Sequence, residues 1–200
     1  MFTLFRLFAL NFLIFIPLVL FSQEVEKIEF EKRVTKDQFP EQIIQELGEY
    51  LENSRRIRFF QEFDGIQYTW EIKMVFNRIS FSIEYNPDLT LLDIEVLENW
   101  RRLSPLVKEP LAVYFNQHYV RYKIRRVQQQ FLPQPGRDQN EFIASILKGP
   151  MPPAQAYELE AEVKGINNNE FGSFEFLFDK DFQLKEKRKI IPLSDVNLHF

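Results

Sequence analysis

Asp179 and Asp181 in "FDKDF" have the one-apart spacing with which a calcium loop begins, but the Gly and Glu that an EF-hand loop needs further on are missing. The comparable stretch "YNPDL" at Tyr85–Leu89 keeps only one carboxylate. Asp and Asn at both places read as turn formers, because their side chains bond the backbone just ahead of them. His118 and His199 are the only histidines, neither has a chelating partner at helical spacing, and there is no Cys. A zinc shell would therefore rest on carboxylates, and the residues predict no metal and no cofactor. Nor is there a G-x-S-x-G elbow or a phosphate loop. Carboxylates are numerous enough for a glycosidase pair. However, Glu158, Glu160 and Glu162 alternate onto one wet strand face, and Arg121, Lys123 and Arg125 alternate onto the polar face of the strand before. Opposite charges facing each other across a ladder contribute about 0.2–1 kcal/mol per pair, a structural role. The chain is thus expected to have no catalytic residues.

The basic run "KEKRKI" tests for nucleic acid. Lys185, Lys187 and Lys189 share one side of a strand, with Arg188 on the other. A single-strand binder interleaves such charges with stacking aromatics. Here the aromatics fall on the core side, and lysines that keep an edge strand from pairing explain the run more simply. A net charge of −4 adds no general pull toward polyanions.

The elements that must carry these residues follow from periodicity. Ile28–Val34 alternates as a strand, and "DQFPEQIIQELGEYLEN" places Pro40 in a first helical turn. Ile43, Ile44, Leu47, Tyr50 and Leu51 then form one apolar stripe. Four strands follow: "RIRFFQEF" into an Asp64-Gly65 turn, "YTWEIKMV", "ISFSIEY", and "TLLDIEV" with Leu92, Ile94 and Val96 inward. The second half has a similar order. Ser104 precedes a helix starting at Pro105, with Val107, Leu111, Tyr114 and Phe115 at helical spacing and Pro110 set to kink it or delay its start. Strands then run through "VRYKIRRVQQQF" with Val120, Tyr122 and Ile124 inward, "YELEAEV", "FGSFEFLF", and the closing "QLKEKRKI". The pattern predicts an α+β fold of two tandem units, 23–99 and 100–200, each one helix plus a four-stranded antiparallel sheet, with the helices on one face.

An insertion at 132–156 interrupts the second unit. Prolines and glycines bracket "NEFIASIL", where Phe142, Ile143, Ile146 and Leu147 form a short helical stripe. The stripe predicts docking, on this chain by preference; otherwise these four residues would meet a partner. At the other end, "MFTLFRLFALNFLIFIPLVLFS" has one basic residue, Arg6, before an apolar run, which reads as a secretory signal over 1–22. An uncleaved anchor is the alternative. The signal predicts a periplasmic or secreted protein. Twenty-two Phe, seven Tyr and two Trp supply a large core without disulfides.

Phe39-Pro40, Tyr68-Thr69-Trp70-Glu71-Ile72 and Tyr85-Asn86-Pro87-Asp88 carry a family resemblance, as do Ile124–Gln128, Tyr157-Glu158-Leu159-Glu160 and Phe178-Asp179-Lys180-Asp181. In these the chain resembles the tandem PepSY-like envelope proteins, which are similar to β-lactamase-inhibitor proteins. The resemblance implies a tandem helix-plus-four-strand fold and no catalytic residues. The expected function is non-enzymatic recognition of a protein or peptide in the cell envelope, through the sheet face and the inserted loop. The alternative is a carrier enclosing a small apolar ligand between helices and sheet.

Overall fold

The computed structural model describes residues 25–27, 30–63, 67–166 and 170–190. The secretory signal at 1–22, the Asp64-Gly65 turn and His199 lie outside the described residues. Among the described residues ten strands form a single sheet: β1 (Val25–Lys27), β2 (Phe30–Val34), β3 (Arg55–Phe63), β4 (Tyr68–Phe76), β5 (Ile79–Tyr85), β6 (Leu91–Glu98), β7 (Tyr119–Phe131), β8 (Ala156–Gly165), β9 (Phe171–Asp179) and β10 (Leu184–Ile190). From β2 to β10 each strand pairs antiparallel with the next in sequence, and β1 adds in parallel beside β10. The helices are α1 (Glu41–Glu46), α2 (Gly48–Glu52), α3 (Pro105–His118) and α4 (Gln139–Leu147), with a 3-10 turn at Lys36–Gln38.

The expectation of two tandem helix-plus-four-strand units is overturned. One continuous sheet crosses the supposed boundary, because β6 and β7 pair from Ile94↔Phe131 to Glu98↔Val127. Two separate units would have left both strands as edges with unpaired N–H and C=O groups; joining them satisfies those groups and removes two edges. Alternation shows which residues share a face but not which strands become neighbours. The helical part is short throughout. The first predicted helix breaks at Leu47, where ψ turns to 6°, just before Gly48. By contrast, α3 runs through Pro110 from its predicted start at Pro105.

One core serves the whole sheet. Ile43 of α1, Leu47 at the break, Tyr50 and Leu51 of α2, Leu111 and Phe115 of α3, and the inward residues of β4–β9 belong to the same buried cluster. At its heart Phe115 meets Phe176 edge-on, with ring centroids 4.9 Å apart. Tyr114 meets Phe178 in the same way at 4.9 Å, and both Phe176 and Phe178 are fully buried. Such ring pairs add about 0.5–1.5 kcal/mol each beyond the burial of their area.

The insertion packs into this core. Asp138 caps α4 by accepting from the Glu141 N–H at 3.0 Å. Gln139 then reaches two neighbours: its amide donates to Glu46 of α1 at 2.8 Å, and its carbonyl accepts the Leu91 N–H at 2.8 Å. Lys148 at the far end pairs with Glu49 of α2.

Bulges correct two details of the inward lists. A register shift between Glu84 and Tyr85 brings Leu91 into the core in place of Leu92. Another between Tyr119 and Arg121 buries Tyr119 and leaves Val120 on the surface.

Candidate functional site

All four α-helices place their buried side chains in the one core, so no described helix covers the opposite face of the sheet. That face is polar, and its charges are aligned by register. The β4–β5 hairpin closes through Asn77 and Arg78, both with left-handed backbones (φ 49° and 70°), between the paired residues Phe76 and Ile79. A two-residue loop of this kind matches the twist of the strands it joins. It brings Glu71 directly opposite Glu84, and the next pairing brings Glu84 directly opposite Asp93. Three carboxylates therefore stand in one row across β4, β5 and β6. Like charges directly opposite each other destabilise a sheet.

The surroundings answer this unevenly. At one end, the Ser82 hydroxyl donates to Glu71, and Lys73 lies 2.9 Å from Glu71 and 3.1 Å from Glu31. Toward the middle, Glu95 accepts from the side-chain amides of Gln128 and of Gln130, the latter at 3.0 Å. Asp93 has no described cation beside it, its nearest donor being the Gln130 amide at 3.5 Å. Burial pushes the Asp93 carboxyl well above the ordinary carboxylate range, with Glu84, Glu158 and Glu71 adding repulsion. Burial raises Glu95 too, followed by Glu158 and Asp93.

The residues singled out by spacing have other work. Asp179 Oδ1 accepts the N–H groups of Asp181 and Gln183, each at 2.9 Å, which is the predicted turn. Its side chain also meets Lys185 at 2.7 Å, a contact that leads the causes holding its pKa down. Asn86 makes the same bond to the Thr90 N–H at 2.9 Å. Among the described residues no group of three or more His, Asp and Glu side chains forms a metal cluster. His118 bonds the Tyr114 carbonyl at 2.8 Å and stacks on that ring. Glu162 pairs with Arg125, and Glu160 with Arg126 at 3.2 Å, a bulge between Ile124 and Arg126 having brought the second arginine into line. A bulge between Leu184 and Glu186 turns Lys187 onto the Phe174 ring at 4.6 Å, where it also pairs with Glu170. Lys187 is therefore not on a solvated face. Phe142, Ile143, Ile146 and Leu147 lie inside the chain's own core, each 1–5% exposed.

The carboxylate row escaped the sequence reading, although its signal was present: a polar residue at each of Glu71, Glu84 and Asp93 in three alternating strands. The two-residue β4–β5 loop sets Glu71 opposite Glu84, and the register of the separate β5–β6 turn sets Glu84 opposite Asp93.

No family model matches the chain, and no curated protein matches it. Among solved structures it is similar to a BLIP-like protein from Bacteroides fragilis, at 12% identity and a TM-score of 0.49, over 79% of this chain and 91% of that one. It is also similar to a DUF2874 family protein from Bacteroides ovatus, at 11% identity and a TM-score of 0.49, over 80% of this chain and 91% of that one. Among the described residues no helix is long and apolar enough to cross a membrane.

Proposed function

We propose that this chain is a non-enzymatic binding protein of the cell envelope that holds a protein or peptide partner against the polar face of its sheet. The observation that carries this reading is the row Glu71–Glu84–Asp93, set directly opposite across three strands. A face kept only for solubility would alternate its charges, as Arg125 and Glu162 do at its margin. Repulsion and burial of carboxylates both work against folding, and groups with pKa values perturbed in this way concentrate at functional sites. The inserted loop is not part of the proposed surface, because its apolar side chains already lie in the core. Carriage of a small apolar ligand is disfavoured as well, because the rings between helices and sheet pack on one another.

The test is affinity capture from the native envelope with the chain beginning at Gln23, alongside a variant carrying Glu71→Gln, Glu84→Gln and Asp93→Asn. A protein or peptide held by the first and lost by the second is the expected result. Identical captures, or a co-purifying lipid with no protein, would overturn the reading.

A further inference from the structure

Beside the acidic row the same face changes sign. Arg55, Arg56 and Arg58 open β3 in "SRRIR", and Arg78 lies in the β4–β5 loop. None of the four makes an ion pair with a described residue. In a chain with more acidic than basic residues, four arginines without a described carboxylate partner in one place call for a reason. A register shift between Arg55 and Arg58 leaves Arg56 in a left-handed conformation (φ 55°), which a non-glycine residue adopts only under constraint.

Three clefts join here. The first, about 390 Å³, lies between Arg55, Asn77 and Arg78. The second, about 230 Å³, holds Arg56, Arg58, Lys73 and Arg126, and shares Val75 with the first. The third, about 430 Å³, shares Leu97 and Arg126 with the second and adds Trp100 and Ile124. Cations thus alternate with apolar surface along a continuous path, and Leu97 on that path is 47% exposed. Gln128 also lines the second cleft. Its amide nitrogen donates to Glu95, while its carbonyl oxygen is buried without a donor. An unsatisfied buried acceptor costs about 1–3 kcal/mol.

We propose that this path binds an acidic peptide segment of the partner, in which carboxylates alternate with apolar side chains. The proposal deepens the sheet-face reading and rests on it. Guanidinium groups match carboxylates and phosphates alike, through paired N–H donors. One observation favours the peptide. Its apolar side chains cover Val75 and Leu97, which a polyphosphate or nucleic acid backbone leaves bare.

The test uses an acetylated, amidated and fluorescently labelled hexapeptide alternating Glu and Val, followed by anisotropy on the chain beginning at Gln23. The expected binding is at least tenfold tighter than that of the Lys/Val counterpart, and it weakens with added salt. Arg56→Ala combined with Arg58→Ala weakens it at least tenfold while the circular dichroism spectrum is unchanged. A double variant that fails to fold is replaced by Arg78→Ala, an exposed loop position, with at least a threefold loss expected. Absent binding, equal binding of the two peptides, or binding indifferent to these arginines overturns the proposal. So does competition by inorganic phosphate or by phosphatidylglycerol vesicles that matches competition by unlabelled peptide. Arginine-dependent peptide binding, together with native and carboxylate-neutralised chains capturing the same envelope proteins, would overturn the sheet-face reading and leave the arginine path standing. Partner capture that depends on the carboxylates, with no peptide binding, would do the reverse.

Discussion

The two faces of the sheet meet opposite demands with the same alternating strands. Toward the helices, β8 and β9 contribute Leu159, Phe174, Phe176 and Phe178, all buried among aromatic and aliphatic neighbours. Toward the other side, the same sheet sets Glu71, Glu84 and Asp93 directly opposite one another. The first face buries the apolar area that drives folding, whereas like charges aligned across strands work against it. A protein is expected to keep such a deficit only where the residues concerned do something other than hold the fold.

The largest expected effect comes from breaking the packed face. Phe176→Ala removes the ring against which Phe115 and Tyr119 pack, and a cavity at so enclosed a site costs about 3–5 kcal/mol. Urea denaturation measures it, and a loss below about 1 kcal/mol would mean that the aromatic cluster is looser than its ring distances imply.

A smaller effect of opposite sign belongs to the polar face. Asp93 has a raised pKa when folded, so its protonated form fits the fold. Its contribution is fully present below the ordinary carboxylate pKa of about 4 and is lost as pH rises through the raised folded value. Asp93→Asn is therefore expected to stabilise the chain at pH 7, and by much less at pH 4. Thermal melts at the two pH values decide it. A destabilised variant at pH 7 would show that the carboxylate is held by favourable contacts, which removes the contrast between the faces.

The smallest effect sharpens a difference within the polar face. Arg125 and Glu162 pair at its margin, both side chains nearly half exposed, and Arg125→Ala is expected to change stability by less than about 1 kcal/mol. Chemical denaturation at low and high salt checks this. A larger loss would place the pair among the structural supports of β7 and β8.

Much of the strand content was legible because alternation is local. The core sides of β4, β5, β8 and β9 follow from every second residue being apolar, and the turns at Asn86 and Asp179 follow from side chains that bond the backbone within a few residues. The candidate site was less legible. Charges on a wet face look alike along the sequence, and whether Glu84 sits beside a lysine or a glutamate depends on loop length and on where bulges fall. Val120 illustrates the limit: one bulge moved it from the expected core to the surface.

The sequence by itself determined the period of each strand, the apolar stripes of the helices and the residues able to make turns, since each depends on neighbours within about one helical turn. Tertiary structure alone decided that β6 and β7 join the halves into one sheet, that the stripe on α4 turns into the shared core, and that three carboxylates line up beside a path of arginines. Those outcomes depend on backbone hydrogen bonds and buried area between residues far apart in the chain, and such contacts are chosen by the total free energy of the packed molecule rather than by any short stretch of it.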